Sequence, residues 1–333
     1  MPTAVILGGT GFIGKYVIHE MMQRSWRIRV LSRNPSSRRA VSILVSKDVG
    51  QIAIENAESY SESLILKAIQ DADVLINCVG NQYDEDHDCF EFVHSTVPAN
   101  IAAAVNQLHN KPRVIHLSAL SVETKQTNGI VSDIPYANSK ARGEQYMTQL
   151  DNCVVVRPSI TYGPGDKFFN RIAHIASISP VCVPAVGLDT RFNPIYAADL
   201  AKAIANISVM QHPSKIYEME GVDSVTYHDC IMLTLKIIDK NRLIIPVPFL
   251  FGSTFASLVN FASHISFGMI KQSICSYDQL ALMHNALYSK SNNSNTAGMN
   301  EAEIISEASL CSVLPRYLSH YRVHGEFNPA GTE

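Results

Sequence analysis

A chain of 333 residues, 46% of them apolar, is long enough to bury one large core or two. Its net charge of −3 supplies no global field to hold nucleic acid or an anionic membrane, so nucleic acid is excluded as a partner. Seven cysteines without a C-x-x-C pair read as reduced thiols in a cytosol-like compartment. An apolar run begins at residue 4, which leaves no room for a signal or transit peptide before it. Either the protein stays where it is made or a presequence was removed; Met1 favours the first, and the expectation is a cytoplasm, with a bacterial one the simplest home.

Ala4 to Leu7 is the short apolar run that a fully buried parallel strand needs. Glycines follow at 8, 11 and 14, and then Ile13, Val17, Ile18, Met21 and Met22 fall on one helical face. Strand, glycine turn and helix make the context in which such a motif carries chemistry. Gly8 permits the tight turn, Gly11 lets backbone approach a pyrophosphate, and Gly14 lets the helix lie close on the strand. The helix N-terminus then offers free N–H groups and a positive dipole end to phosphates. The spacing is Gly-x-x-Gly-x-x-Gly. Together with Thr10 and the Phe12-Ile13 pair, it resembles the extended and atypical short-chain dehydrogenase/reductases, and Thr10, Phe12 and Ile13 join the glycines as expected cofactor contacts.

Arg27 to Leu31 reads as the second strand. Beyond it an NAD site usually carries an acidic residue for the ribose hydroxyls. Here stand Ser32 and Arg33, a donor and a positive charge that suit the 2′-phosphate of NADP, with Arg38 a weaker second candidate. NADP(H) is therefore the expected cofactor and NAD(H) the alternative. Gln51 to Ile54 is a short third strand, and the resemblance gives the following Asn56 to the adenine. Ser61 to Gln70 is a helix. Residues 73–80 are the fourth strand with its exit turn, where the resemblance places Asn77, Cys78, Val79 and Gly80 along the dinucleotide. The acidic run 84–88 with His87 and Cys89 has its ligand types side by side and no partner cluster, so it reads as a solvated loop and no metal is expected. A helix follows over about 90–108.

Arg113 to Ser118 is the fifth strand. Tyr136 and Lys140, four apart after Pro135, share one face of the next helix. The resemblance makes Tyr136 the proton donor or acceptor. It gives Lys140 the nicotinamide ribose and the lowering of the tyrosine pKa. Leu117 and Ser118, at the end of the fifth strand, are expected beside the cofactor, Ser118 also with a catalytic part. Cys153 to Arg157 is the sixth strand, and Pro158, Ser159 and Ile160 resemble the loop that lies along the nicotinamide. Lys167 to Ile178 is helical, and its Phe-Phe-Asn-Arg start suits either a substrate contact or a core. Residues 180–196 are Pro-rich and read as irregular. Asp199 then opens a helix through Val209 and reads as a structural N-terminal device. Ile216 to Glu220 is a strand and Tyr227 to Ile238 a helix. Residues 243–270 hold no Lys, Arg, Asp or Glu, yet Pro246, Pro248, Asn260, His264 and several serines break them up. They read as a buried or interface-lying helical hairpin rather than a transmembrane span. Residues 289–300 read as a mobile polar connector, and a last helix runs from about 301 to 321 with a break at Pro315.

The fold class expected is α/β, a Rossmann-type doubly wound parallel sheet of the extended short-chain dehydrogenase kind. A dinucleotide-binding domain would cover 1–165, with sheet segments returning around 190–220. A smaller, mostly helical region over 166–333 would bind substrate or partner. His116-Leu-Ser-Ala-Leu-Ser121, Tyr136 to Glu144 and Arg157 to Arg171 narrow the resemblance to the atypical group that includes the NADPH-binding accessory subunit of respiratory complex I and its bacterial relatives. One departure stands out. Extended enzymes carry a catalytic Ser or Thr directly after the first Ser that ends the fifth strand, and here Ser118 is followed by Ala119, whose methyl cannot hydrogen-bond a substrate. The resemblance thus implies a cofactor-bearing protein with weak turnover, in or near a respiratory complex on the inner face of the inner membrane, docking through 243–270. The competing function is an NADP-dependent oxidoreductase, epimerase or dehydratase acting on a nucleotide sugar or an isoprenoid-like substrate. A sensor of the NADP/NADPH ratio is a third, disfavoured by the intact Tyr136 and Lys140.

Overall fold

The computed structural model describes residues 1–44, 50–81, 89–120, 135–247 and 307–322. Over these the chain forms two compact units. One holds residues 1–159 and 197–219, the other 160–196, 220–247 and 307–322.

In the first unit β1 (Thr3–Leu7) is buried along its whole length, as its unbroken apolar run requires. It pairs in parallel with β2 (Arg27–Ser32) on one side and β4 (Val74–Asn77) on the other. β3 (Ile52–Asn56) extends the sheet beyond β2. β5 (Arg113–Leu117), β6 (Cys153–Pro158) and β11 (Ile216–Met219) extend it beyond β4, giving seven parallel strands in the order β11-β6-β5-β4-β1-β2-β3. The order reverses at β1, so a crevice opens between the carboxyl ends of β1 and β4. Alternation along the strands divides the core. Val5, Leu7, Leu31, Leu75, Val114 and Val155 pack with residues of α3 (Glu62–Ile69), α5 (Val97–Asn106) and α6 (Pro135–Thr148). On the other face α1 (Phe12–Gln23) packs against α8 (Ala197–Val209). This is the doubly wound sheet that the sequence implied.

Local differences have physical reasons. A helix not read from the sequence, α2 (Arg38–Leu44), follows β2, where Ser37 Oγ accepts the Ala40 N–H and so caps its start. The helix expected over 90–108 begins as α4 (Cys89–Glu91) and passes through a π-helical turn (Phe92–Thr96) into α5. Hydrophobic period alone does not reveal one extra residue in a turn.

The second unit joins short strands in pairs: β7 (Thr161–Tyr162) with β10 (Ile195–Tyr196), β8 (Cys182–Ala185) with β13 (Leu243–Pro246), and β9 (Arg191–Phe192) with β12 (Val225–Thr226). Around them lie α7 (Phe169–Ile178), α9 (Tyr227–Ile237), α10 (Leu310–Leu318) and a 3-10 turn (Ser319–Tyr321). Tyr162, Phe169, Ile172, Ile231 and Leu314 sit in their core. The segment 180–196 is thus corrected from irregular to three short strands, whose partners lie far along the chain and leave no local pattern. Residues 243–246, expected in a helical hairpin, are a strand, and the rest of 248–270 lies outside the described residues. So do the acidic run 84–88 and the connector 289–300. Pro315 sits inside α10 rather than breaking it, since it removes only the bond to the carbonyl of the exposed Cys311.

Candidate functional site

The glycine turn is built by backbone contacts that leave no room for a Cβ at Gly8 or Gly14 and little at Gly11. Gly8 has φ +73°, and a Cβ there would lie 2.7 Å from the Cys78 carbonyl carbon at the end of β4. A Cβ on Gly14 would run into the Gly8 carbonyl oxygen, and one on Gly11 would stand 3.1 Å from that same atom. The Gly11 N–H donates to the Gly8 carbonyl at 2.9 Å and closes the turn. α1 then starts from Gly11 with no side-chain cap. Its first N–H groups carry the positive end of the helix dipole. Thr10, Phe12 and Ile13 lie in or just after this turn, none of them fully buried, and the Phe12 ring meets Tyr16 edge-on at 5.6 Å.

Ser32 and Asn56 are register partners at the ends of β2 and β3. Ser32 is buried, and its Oγ accepts the Asn34 N–H at 3.3 Å. Arg33 is exposed, and its charge opposes the burial that raises the Tyr60 phenol pKa, which puts the guanidinium near the end of β2. Asn56 is exposed and its amide donates to Glu58.

Past β4, the Val79 N–H donates to Asn77 Oδ1, and Asn77 Nδ2 donates to His116 Nδ1 at 3.0 Å across to β5. Burial holds His116 near pKa 3, helped by the Lys140 charge, so it is neutral. Lys140 Nζ donates to the Leu117 carbonyl at 3.3 Å and stands 3.5 Å from where a Gly80 Cβ would be. Burial pulls Lys140 down to about 8, against Glu144 and Cys78, which favour its charge. Burial likewise pushes the Cys78 thiol up to about 12. Ser118 Oγ and His116 Nε2 are buried with no hydrogen-bond partner. Buried polar atoms are normally satisfied, so these two, both at the carboxyl end of β5, leave hydrogen-bonding capacity for a polar ligand there. Tyr136 packs edge-on against Phe90 and His94. Burial pushes it up to about 12, so the expected lowering by Lys140 is not found. Pro158 ends β6, and the N–H of Ser159 after it donates to the Met219 carbonyl. Ile160 opens the second unit and packs at the edge of that unit's core.

Sequence inspection assigned no role to three groups here. Arg157, buried in β6, forms a two-pronged pair with Glu144 of α6 (2.8 and 3.1 Å) and reaches Glu218 at 3.5 Å. An Arg inside Cys-Val-Val-Val-Arg is the signal, because a charge in a buried strand requires a partner. Gly143 lets α6 rest on the His94 carbonyl, which its Cβ would strike. His94 itself had no sequence signal beyond a polar residue in an apolar run. Among the described residues no group of three His, Cys, Asp or Glu could hold a metal ion. The uncapped helix start, the glycine turn and the two unpartnered atoms fit a nicotinamide dinucleotide.

Residues 4–219 match the NAD dependent epimerase/dehydratase family. The rat mitochondrial NADH dehydrogenase [ubiquinone] 1 alpha subcomplex subunit 9 is 28% identical over 204 residues, 61% of this chain and 52% of that one. The NADH-ubiquinone oxidoreductase 40 kDa subunit of Neurospora crassa is 23% identical over 248 residues, 74% of this chain and 63% of that one. The chain therefore spans little more than half the length of these curated relatives. The UDP-glucose 4-epimerase of Thermus thermophilus, solved with NAD, superposes with a TM-score of 0.63 over 96% of this chain and 99% of that one, at 16% identity, which speaks to fold alone. The matched span takes in both the glycine turn at the sheet's reversal and the helix of Tyr136 and Lys140, and the chain belongs to the NAD dependent epimerase/dehydratase family.

Proposed function

We propose that this chain carries a nicotinamide dinucleotide, NADP(H) in preference to NAD(H), as an accessory-subunit-like component beside a respiratory complex, with little turnover of its own. The observation that carries this is the turn Gly8–Gly14 with its uncapped α1 at the reversal of the sheet. Gly8, Thr10, Gly11, Phe12, Ile13 and Gly14 would hold the diphosphate. Ser32 and Arg33 would meet the 2′-phosphate, and Asn56 the adenine. Cys78, Val79, Gly80, Leu117 and Ser118 would line the nicotinamide half, with Pro158, Ser159 and Ile160 beyond, and Lys140 would hold the ribose hydroxyls. A bound coenzyme supplies hydride transfer. At a pKa of about 12 Tyr136 keeps its proton at neutral pH, which makes it a weak acid and leaves little phenolate to act as a base, in keeping with little turnover. Ala119 offers no donor to a substrate oxygen, a loss on the order of a hundredfold in rate.

The rat and Neurospora relatives are, by name, subunits of NADH dehydrogenase and of NADH-ubiquinone oxidoreductase, which supports the respiratory partner. They are mitochondrial, so the expected bacterial cytoplasm has no support among them. An inner-membrane surface, met through 243–270, is the location this reading favours. Among the described residues no helix is long and apolar enough to cross a membrane. Native mass spectrometry tests the carrier reading: purified protein should bring NADP(H) along, keep it through dialysis and show no turnover on a panel of carbonyl compounds. Arg33→Ala should cut the preference for NADPH over NADH about tenfold or more, and an unchanged ratio would reject the 2′-phosphate assignment. Pull-down from membranes with 243–270 altered should lose the respiratory partner.

A second reading, an oxidoreductase, epimerase or dehydratase on a small carbonyl or hydroxyl substrate, is favoured by the unpartnered Ser118 Oγ close to the Tyr136–Lys140 helix. Steady NADPH oxidation that disappears in Tyr136→Phe would establish it.

A further inference from the structure

His94 is buried at 1% exposure, a polar ring among apolar side chains, on the π-helical turn before α5. A leucine would fill that space without polar atoms, so its hydrogen bonds are what need explaining. The Asn81 N–H donates to Nε2 at 3.2 Å, which places the ring hydrogen on Nδ1. Nδ1 then donates to Ser139 Oγ at 3.0 Å, and Ser139 Oγ donates to the Tyr136 carbonyl at 2.9 Å. The ring stacks on Phe90 and meets the Tyr136 ring edge-on at 5.2 Å. Behind it, Gly143 lets α6 close on the His94 carbonyl. The residue is met by α6 at its carbonyl and, through Ser139, at Nδ1, and by the turn after β4 at Nε2. Gly80, next to Asn81, faces His94 Nε2 and Lys140 Nζ, which would stand 3.9 and 3.5 Å from a Cβ there.

We infer that His94 is a positioning residue that sets the slot for the nicotinamide half of the dinucleotide, by tying the turn after β4 to the helix that carries Tyr136 and Lys140. This rests on the dinucleotide reading above. A neutral imidazole is what the arrangement needs: a proton on Nε2 would face the Asn81 N–H donor to donor. Burial, with Lys140 and His116 nearby, keeps His94 neutral across the physiological range. On this reading the adenine half would lie at the ends of β1, β2 and β3, while the hydrogen bonds of His94 go to Asn81 and Ser139.

The test compares full-length wild type, His94→Phe, which keeps a ring but loses both hydrogen bonds, and His94→Gln, which keeps an acceptor for Asn81 and a donor for Ser139. Affinities are measured for NADPH and for adenosine diphosphate, the half that ends before the nicotinamide. His94→Phe should weaken NADPH about tenfold or more and leave adenosine diphosphate within about twofold, with the emission of bound NADPH moving toward that of free coenzyme. His94→Gln should restore most of the loss. Equal weakening of both ligands, or unchanged NADPH affinity, overturns the inference. If His94→Phe fails to fold, Ser139→Ala carries the test: NADPH alone should weaken by about threefold or more, and no change overturns the inference. A wild-type chain that binds neither ligand instead overturns the dinucleotide reading, and with it the role given to His94.

Discussion

At Gly8 two demands meet in one residue. Its φ of +73° costs a side-chain-bearing residue about 1–2 kcal/mol, and its Cβ position is already filled by the Cys78 backbone. Gly8→Ala should therefore lower stability by more than the conformational cost alone, seen as a lower urea midpoint, and should also widen the turn and weaken NADPH binding. His94 and His116 make a second prediction. In the folded chain they titrate near 2 and near 3, while an unfolded imidazole titrates near 6.5. Between those values the unfolded chain binds protons that the folded chain refuses. Stability is thus fully present above about pH 6.5 and falls as pH drops through that window, by up to about 1.4 kcal/mol per pH unit for each histidine. Urea midpoints at pH 7, 6 and 5 should show the slope, and His116→Gln should flatten it. The glycines were legible because a steric requirement is written in residue type. The histidines were not, because their neutrality comes from burial.

Between elements, α6 is pinned to β6 by the Arg157–Glu144 pair, whose side chains are each 6% exposed. Removing Glu144 leaves the buried guanidinium with the longer Glu218 contact in place of a two-pronged pair, so Glu144→Gln should cost up to about 3–5 kcal/mol in denaturant unfolding. Replacing both residues with apolar ones of similar volume should recover most of that, and a double variant no better than the single one would contradict the account. In the second unit, Asp166 accepts from the Gly163, Phe169 and Asn170 N–H groups and from the Tyr317 hydroxyl of α10. Tyr317→Phe removes one of four donors and should cost about 1–3 kcal/mol. Asp166→Ala strands all four and should cost more, by the same measurement. β1 through β6 were visible in the sequence as apolar runs of strand length. β8, β9 and β10 were not, because two to four residues paired with distant partners carry no period of their own. α2 was missed because its cap, Ser37, lay in a stretch that also reads as a basic loop.

For the whole molecule, a ligand that binds only the folded chain adds stability by mass action, about 2.7 kcal/mol at a hundred times its dissociation constant. NADPH should raise the melting temperature by a few degrees, NADH by less at equal concentration, and a chain insensitive to both would contradict the proposed function. The sequence by itself determined the doubly wound sheet, the glycine turn and the helix pairing of Tyr136 with Lys140, since strand burial, turn sterics and helical period are local and leave marks in residue order. Tertiary structure alone decided that β11 pairs with β6, that Arg157 meets Glu144, that burial raises Tyr136, and that His94 joins the β4 turn to α6. Each of those depends on which distant residues exclude water from one another, and no local pattern records it.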